Sequence, residues 1–137
     1  MKTLQTLIRL IKDEVDRLKK DLAQMEERRQ KYQDEHDELG VQLIREADVA
    51  TRFPEASQGF AGFAKRTLDR QKNLIRNIAL IQKEIDKKRD ELLEGFSEQK
   101  KFEIALENKQ MEAFKEAKRR DNILMDEVAI RGYNRKE

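Results

Sequence analysis

Reading from the N-terminus, apolar residues recur at alternating steps of three and four: Met1, Leu4, Ile8, Ile11, Val15, Leu18, Leu22 and Met25. The same steps continue through Arg29, Tyr32, His36, Leu39, Leu43, Glu46 and Ala50. Twelve of these fifteen positions are apolar or aromatic, and the residues between them are mostly Asp, Glu, Lys and Arg. A 3,4 spacing held this long permits one local structure, an α-helix with a narrow apolar stripe that must pack against another helix. The first helix is therefore predicted from about Leu4 to about Ala50, ~70 Å at 1.5 Å per residue. Composition agrees: 42% of the 137 residues are charged, with one Pro, five Gly and no Trp. Ordinary soluble chains carry ~25% charge; the abundance of the helix formers Glu, Lys, Arg, Gln, Leu and Ala rules out a sheet protein, and the periodic apolar residues argue against disorder.

The pattern breaks at Thr51-Arg52-Phe53-Pro54-Glu55-Ala56-Ser57-Gln58-Gly59. Pro54 lacks a backbone donor and turns Phe53 away from helical angles, so a turn is predicted over about 51–60. The stripe then resumes at Ala64, Leu68, Leu74, Ile78, Ile81, Ile85, Leu92, Phe96, Phe102 and Leu106, and continues through Ala113, Ala117, Leu124 and Val128. A second helix is predicted over about 61–132, ~105 Å long.

A short connection between long amphipathic helices makes them antiparallel neighbours. Folding the chain about Glu55 and Ala56 sets residues whose numbers add to about 111 opposite each other. Leu4 then meets Leu106, Ile8 meets Phe102, Val15 meets Phe96, Leu18 meets Leu92, Met25 meets Ile85, Tyr32 meets Ile78, Leu39 meets Leu74 and Leu43 meets Leu68. The acidic cluster Asp34, Glu35, Asp37 and Glu38 falls opposite the basic stretch holding Lys72 and Arg76. The expected fold is all-α: one domain made of a two-helix antiparallel coiled-coil hairpin, residues 1–137, with the C-terminal helix longer and overhanging. Acid-first i,i+4 pairs such as Glu27 with Lys31, Glu84 with Lys88 and Glu116 with Arg120 support the helices by ~0.2 to 0.5 kcal/mol each.

Charge and chemistry narrow the function classes. With 30 Lys plus Arg against 28 Asp plus Glu, the net charge of +2 demands no polyanionic partner. Between Lys65 and Arg89 nine basic residues face three acidic ones, a stripe expected mostly to balance helix 1, with nucleic acid or acidic lipid as the other reading. There is no Cys, so thiol chemistry is excluded and a reducing compartment fits. The N-terminus lacks the apolar run of a signal peptide and no stretch is long enough to span a bilayer, which points to the cytoplasm.

His36, the single histidine, sits in the seam between two helices that cannot enclose a catalytic pocket. Asp34 to Glu38 surround the helix instead of converging, so no metal site is expected. No phosphate-cradling Gly loop and no nucleophile constellation occurs. The chain is expected to catalyse nothing and to hold no cofactor. Gly59-Phe60-Ala61-Gly62-Phe63 reads as a tip whose rings cap the seam, or as a partner-binding tip, and Gly95 marks a bend or a close helix approach beside Val15.

The overhang is the informative part. Met1 faces about Gln110, so Met111 to Glu137 has no partner inside the chain, yet it carries Met111, Phe114, Ala117, Leu124 and Val128 with Lys115, Lys118, Arg119 and Arg120 alongside. A lone helix of this length is marginal in water, so the stripe is expected to dock elsewhere. One reading is self-pairing in a homodimer. The other is insertion into a charged central site on a larger partner.

Leu93-Glu94-Gly95-Phe96-Ser97-Glu98-Gln99-Lys100-Lys101-Phe102-Glu103, with Asp126-Glu127-Val128-Ala129-Ile130-Arg131 near the C-terminus, resembles the flagellar export protein family FliJ, particularly its shorter members. The likeness covers nearly the whole chain, and the family is itself similar to the YscO-type proteins of type III secretion. The resemblance implies a soluble stalk component of the flagellar type III export apparatus. Such a stalk binds and stimulates the hexameric export ATPase, contacts the cytoplasmic domain of the export gate and handles export chaperones, at the cytoplasmic face of the inner membrane. It adds Asp126, Glu127, Ala129 and Arg131 to Phe114, Lys118, Arg119, Arg120, Leu124 and Val128 as expected partner-binding residues. A homodimeric structural coiled coil, or a coiled coil binding nucleic acid or a membrane surface, remains as the alternative.

Overall fold

The computed structural model describes residues 2–136, so Met1, the first expected seam position, lies outside the described residues. The chain forms two long helices packed against each other, α1 at Lys2–Arg52 and α2 at Phe60–Lys136, joined by a single 3-10 turn at Pro54–Ser57. No strand occurs among the described residues. α2 is the longer, 77 residues against 51.

The connection follows from its residues. Phe53, preceding Pro54, lies outside the helical region at φ −126° and ψ 89°, because the proline ring disfavours helical angles in its neighbour. Its N–H still donates to Val49 O at 2.9 Å and so closes α1. The Ser57 hydroxyl donates to Pro54 O at 2.6 Å within the turn. Gly59 then reverses the chain at φ +89°, a left-handed conformation with little cost only for glycine. Phe63 N–H donating to Gly59 O begins α2.

Two compact units divide the hairpin, each pairing a stretch of α1 with an antiparallel stretch of α2: Met1–Val15 with Glu94–Glu137, and Asp16–Leu93. In the first, Ile8 and Val15 are buried while Leu4, Ile11, Gln99, Phe102 and Leu106 are half-buried. In the second the core is Leu18, Thr67, Leu74, Ile81 and Ile85, with Leu74 and Ile85 wholly enclosed. Cross-helix contacts follow the antiparallel register. Arg29 Nη1 donates to Gln82 Oε1 at 2.7 Å, numbers adding to 111. Gln71 Nε2 donates to His36 O at 3.1 Å, where Gly40 leaves room for the amide. Lys12 faces Glu103 at 3.9 Å.

The seam of α2 differs from the apolar stripe at two places. Its covered positions run without a break through 67, 71, 74, 78, 81, 85, 88, 92, 95, 99, 102 and 106. Each adds to 110 with a covered α1 position, from 43 back to 4. Thr67 takes the buried place expected of Leu68, which is 47% exposed. Gly95 takes the place expected of Phe96: a Cβ at Gly95 would lie 3.0 Å from Val15 Cγ2, so the two backbones approach closely there. On α1, Glu46 is exposed and the neighbouring Ala47 is half-buried.

The charges are also distributed differently from the expectation. Glu35 takes both Nε and Nη2 of Arg70 at 3.0 and 3.1 Å, not Lys72 or Arg76. Glu26 takes Arg89 at 3.0 Å. Lys88 turns to Glu91, not Glu84, whereas Lys31 pairs with Glu27 as its spacing predicts. Most of the basic stripe on α2 therefore does not balance α1.

Candidate partner-binding surface

From Glu107 to Arg135 every residue of α2 is exposed except Glu116, which is half-buried. Beyond Leu106 the seam face of α2 has no cover, and Phe114 and Met125 are 69% and 70% exposed. The segment keeps its helix through local pairing. Arg119 donates from Nε and Nη2 to Glu116 at 3.2 and 2.9 Å, and Arg120 Nε lies 3.5 Å from the same carboxylate. The Arg119 hydrogen bonds, with Arg120 close by, hold the Glu116 carboxyl below its ordinary range.

A helix advances ~100° per residue, so residues two apart lie nearly opposite each other. Ala117, Asp121, Leu124 and Val128, at steps of four, three and four, form one face, with Phe114 and Met125 beside them. Two residues away at each step lies a second register: Arg119, Ile123, Asp126, Ile130 and Tyr133. The segment is thus apolar on two opposed faces, with Ile123, Ile130 and Tyr133 all exposed.

The ten expected partner-binding residues do not converge on one face. Phe114, Leu124 and Val128 share the first face, with Lys118 at its margin. Arg119 and Asp126 belong to the second. Arg120, Glu127 and Arg131 share one flank, and Ala129 occupies the other. Arg119 and Arg120 meet at Glu116, so neither cation is uncommitted. Met125, Ile123, Ile130 and Tyr133 were not among the expected residues. The signal of Ile123, Ile130 and Tyr133 is a second 4,3,4,3 series offset by two from the first and interleaved with it, while Met125 borders the first.

Elsewhere three of the four carboxylates around His36 are individually engaged. Asp34 accepts from Gln30, Glu35 from Arg70, and Asp37 from Gln33 and from His36 Nδ1 at 3.1 Å. The His36 hydrogen bond, then that of Gln33, holds the Asp37 carboxyl below its usual range. At the tip, Glu46, Ala56, Gln58, Gly59, Phe60 and Phe63 line an open cleft of about 320 Å³, with both rings half-buried. Among the described residues no helix is long and apolar enough to cross a membrane.

The family model described as flagellar FliJ protein matches residues 1–137. Flagellar FliJ proteins from two strains of Caulobacter vibrioides are each 31% identical over 126 residues, 92% of this chain and 91% of theirs. No solved structure matches. With the match running through both helices and the uncovered C-terminal segment alike, the chain belongs to the flagellar FliJ protein family.

Proposed function

We propose that this protein is the soluble stalk component of the flagellar type III export apparatus, binding and stimulating the hexameric export ATPase. It links that ATPase to the export gate and to export chaperones, peripherally at the cytoplasmic face of the inner membrane, and catalyses nothing itself. Family membership supports a place in flagellar export. The observation that carries the ATPase reading is the segment from Glu107 to Arg135, uncovered yet apolar on two opposed faces. A helix docking on a flat surface needs one apolar face, whereas one apolar on both sides fits a site that surrounds it. Burying Leu124 and Val128 contributes about 1.5 to 3 kcal/mol each, and the two-sided arrangement brings Ile123, Ile130 and Tyr133 into contact as well. The Arg and Lys residues steer encounter with acidic groups more than they add affinity.

Truncation after Gln110 tests this. The seam from Leu4 to Leu106 is retained, so helicity per residue should change little while stimulation of the cognate export ATPase is lost. A truncated chain that stimulates the ATPase at full strength overturns the assignment of the segment.

A further inference from the structure

In the unit Asp16–Leu93, Lys65, Lys72, Arg76, Lys83 and Lys87 each lie two residues from a buried position, Thr67, Leu74, Ile81 or Ile85. At ~100° per residue this turns all five to the side of α2 facing away from α1. All five are exposed. None makes a hydrogen bond or ion pair with another described residue, unlike Arg70, Lys88 and Arg89 on the same helix. Asp69 and Asp86 are the carboxylates on this face between Lys65 and Lys87, and Asp86 already accepts from Gln82 Nε2 at 2.9 Å. From Lys72 the cations follow steps of four, seven and four.

Between the middle two lies an apolar opening. Arg76, Ala79, Leu80 and Lys83 line a cleft of about 330 Å³, and Leu80 is 62% exposed beside it. Their spacing, i, i+3, i+4 and i+7, is that of the four residues forming the hole that receives one side chain from a facing helix in a coiled coil. Ala79, with only a methyl group, leaves the hole open.

We propose that this outer face of α2 docks an acidic amphipathic helix. One apolar side chain of that helix fills the hole beside Ala79 and Leu80, and its carboxylates, at steps of four and seven, meet Lys72, Arg76, Lys83 and Lys87. The repeated 4,7,4 spacing matches a second helix laid alongside, since both then present charges at the same rise per residue. A phosphate backbone would leave Leu80 wet and finds no aromatic ring between these cations for base stacking. Between Lys72 and Lys87 a lipid surface finds on this face one large apolar side chain, Leu80, to insert. The proposal is independent of where the C-terminal segment docks.

The test uses the full chain and a fluorescent synthetic helical peptide with Glu at steps of four, seven and four and one Leu midway. A control peptide has the same composition with the Glu spacing scrambled. Anisotropy titration of the unaltered chain should show the matched peptide binding at least ~10-fold more tightly than the control. Arg76→Glu with Lys83→Glu should weaken the matched peptide ~10-fold or more, most strongly at low salt. Leu80→Ser should weaken it at low and high salt alike. Far-ultraviolet circular dichroism should be unchanged, because all three positions are exposed. Equal binding of the two peptides overturns the proposal, as does indifference to Leu80→Ser. So does tighter binding of duplex DNA, or of vesicles of phosphatidylglycerol and phosphatidylcholine, sensitive to the same substitutions.

Discussion

Replacing Gly95 by Ala should destabilise the protein, although Ala is the better helix former by ~1 kcal/mol. The new Cβ would lie 3.0 Å from Val15 Cγ2, a tighter approach than carbon atoms ordinarily keep, so one side must give by a few tenths of an ångström. Val15 is only 3% exposed, and as a β-branched residue in a helix it holds one side-chain rotamer. It cannot swing aside, so the helices must part locally. Overpacking of this kind costs about 1 to 3 kcal/mol, leaving a net loss of about 1 kcal/mol after the propensity gain. In a Val15→Ala background the obstruction is gone and Gly95→Ala should become favourable by ~1 kcal/mol, a coupling of about 2 kcal/mol between the two sites. Urea unfolding followed at 222 nm, at constant denaturant slope, measures both. At Gly132 a Cβ meets nothing within 4 Å, so Gly132→Ala should slow amide exchange in the last turns. A Gly95→Ala midpoint raised equally in both backgrounds would refute the close approach at Val15.

Ile85→Ala, at a wholly enclosed position, should cost about 2 to 5 kcal/mol. Leu68→Ala, at the apolar neighbour that the seam bypasses, should cost well under half of that, as read by urea midpoints. Cys at both 15 and 95 should form an intramolecular disulfide at low concentration, and mass spectrometry showing only cross-linked dimers would contradict the antiparallel register. Because its folded pKa is depressed from 4.5, Glu116 contributes stability that is fully present above the ordinary carboxylate pKa and lost as pH falls through the lowered value. Glu116→Gln should therefore reduce helicity at neutral pH and make no difference in strong acid, measured by circular dichroism across that range.

The two-helix hairpin was legible in the sequence because a 3,4 apolar period over fifteen positions has one structural solution, and because Pro54 and Gly59 leave one place to turn. The antiparallel register was legible as well, since apolar residues face apolar residues only near one sum of residue numbers. On α2 the apolar residues alone named the wrong neighbour twice, Leu68 for Thr67 and Phe96 for Gly95. The unbroken heptad register includes Thr67, Gln71, Lys88, Gly95 and Gln99, none of which carries a large apolar side chain to mark it as a seam position. An α-helix drifts ~20° per heptad against a 3.5-residue repeat, so the facing residue is decided by how α2 winds against α1, not by its own side chain. The same winding decided which cations are spent on Glu26 and Glu35 and which face outward around Ala79 and Leu80. Beyond Leu106, where α1 offers no partner, no winding selects a face, and Ile123, Ile130 and Tyr133 remain exposed opposite Leu124 and Val128.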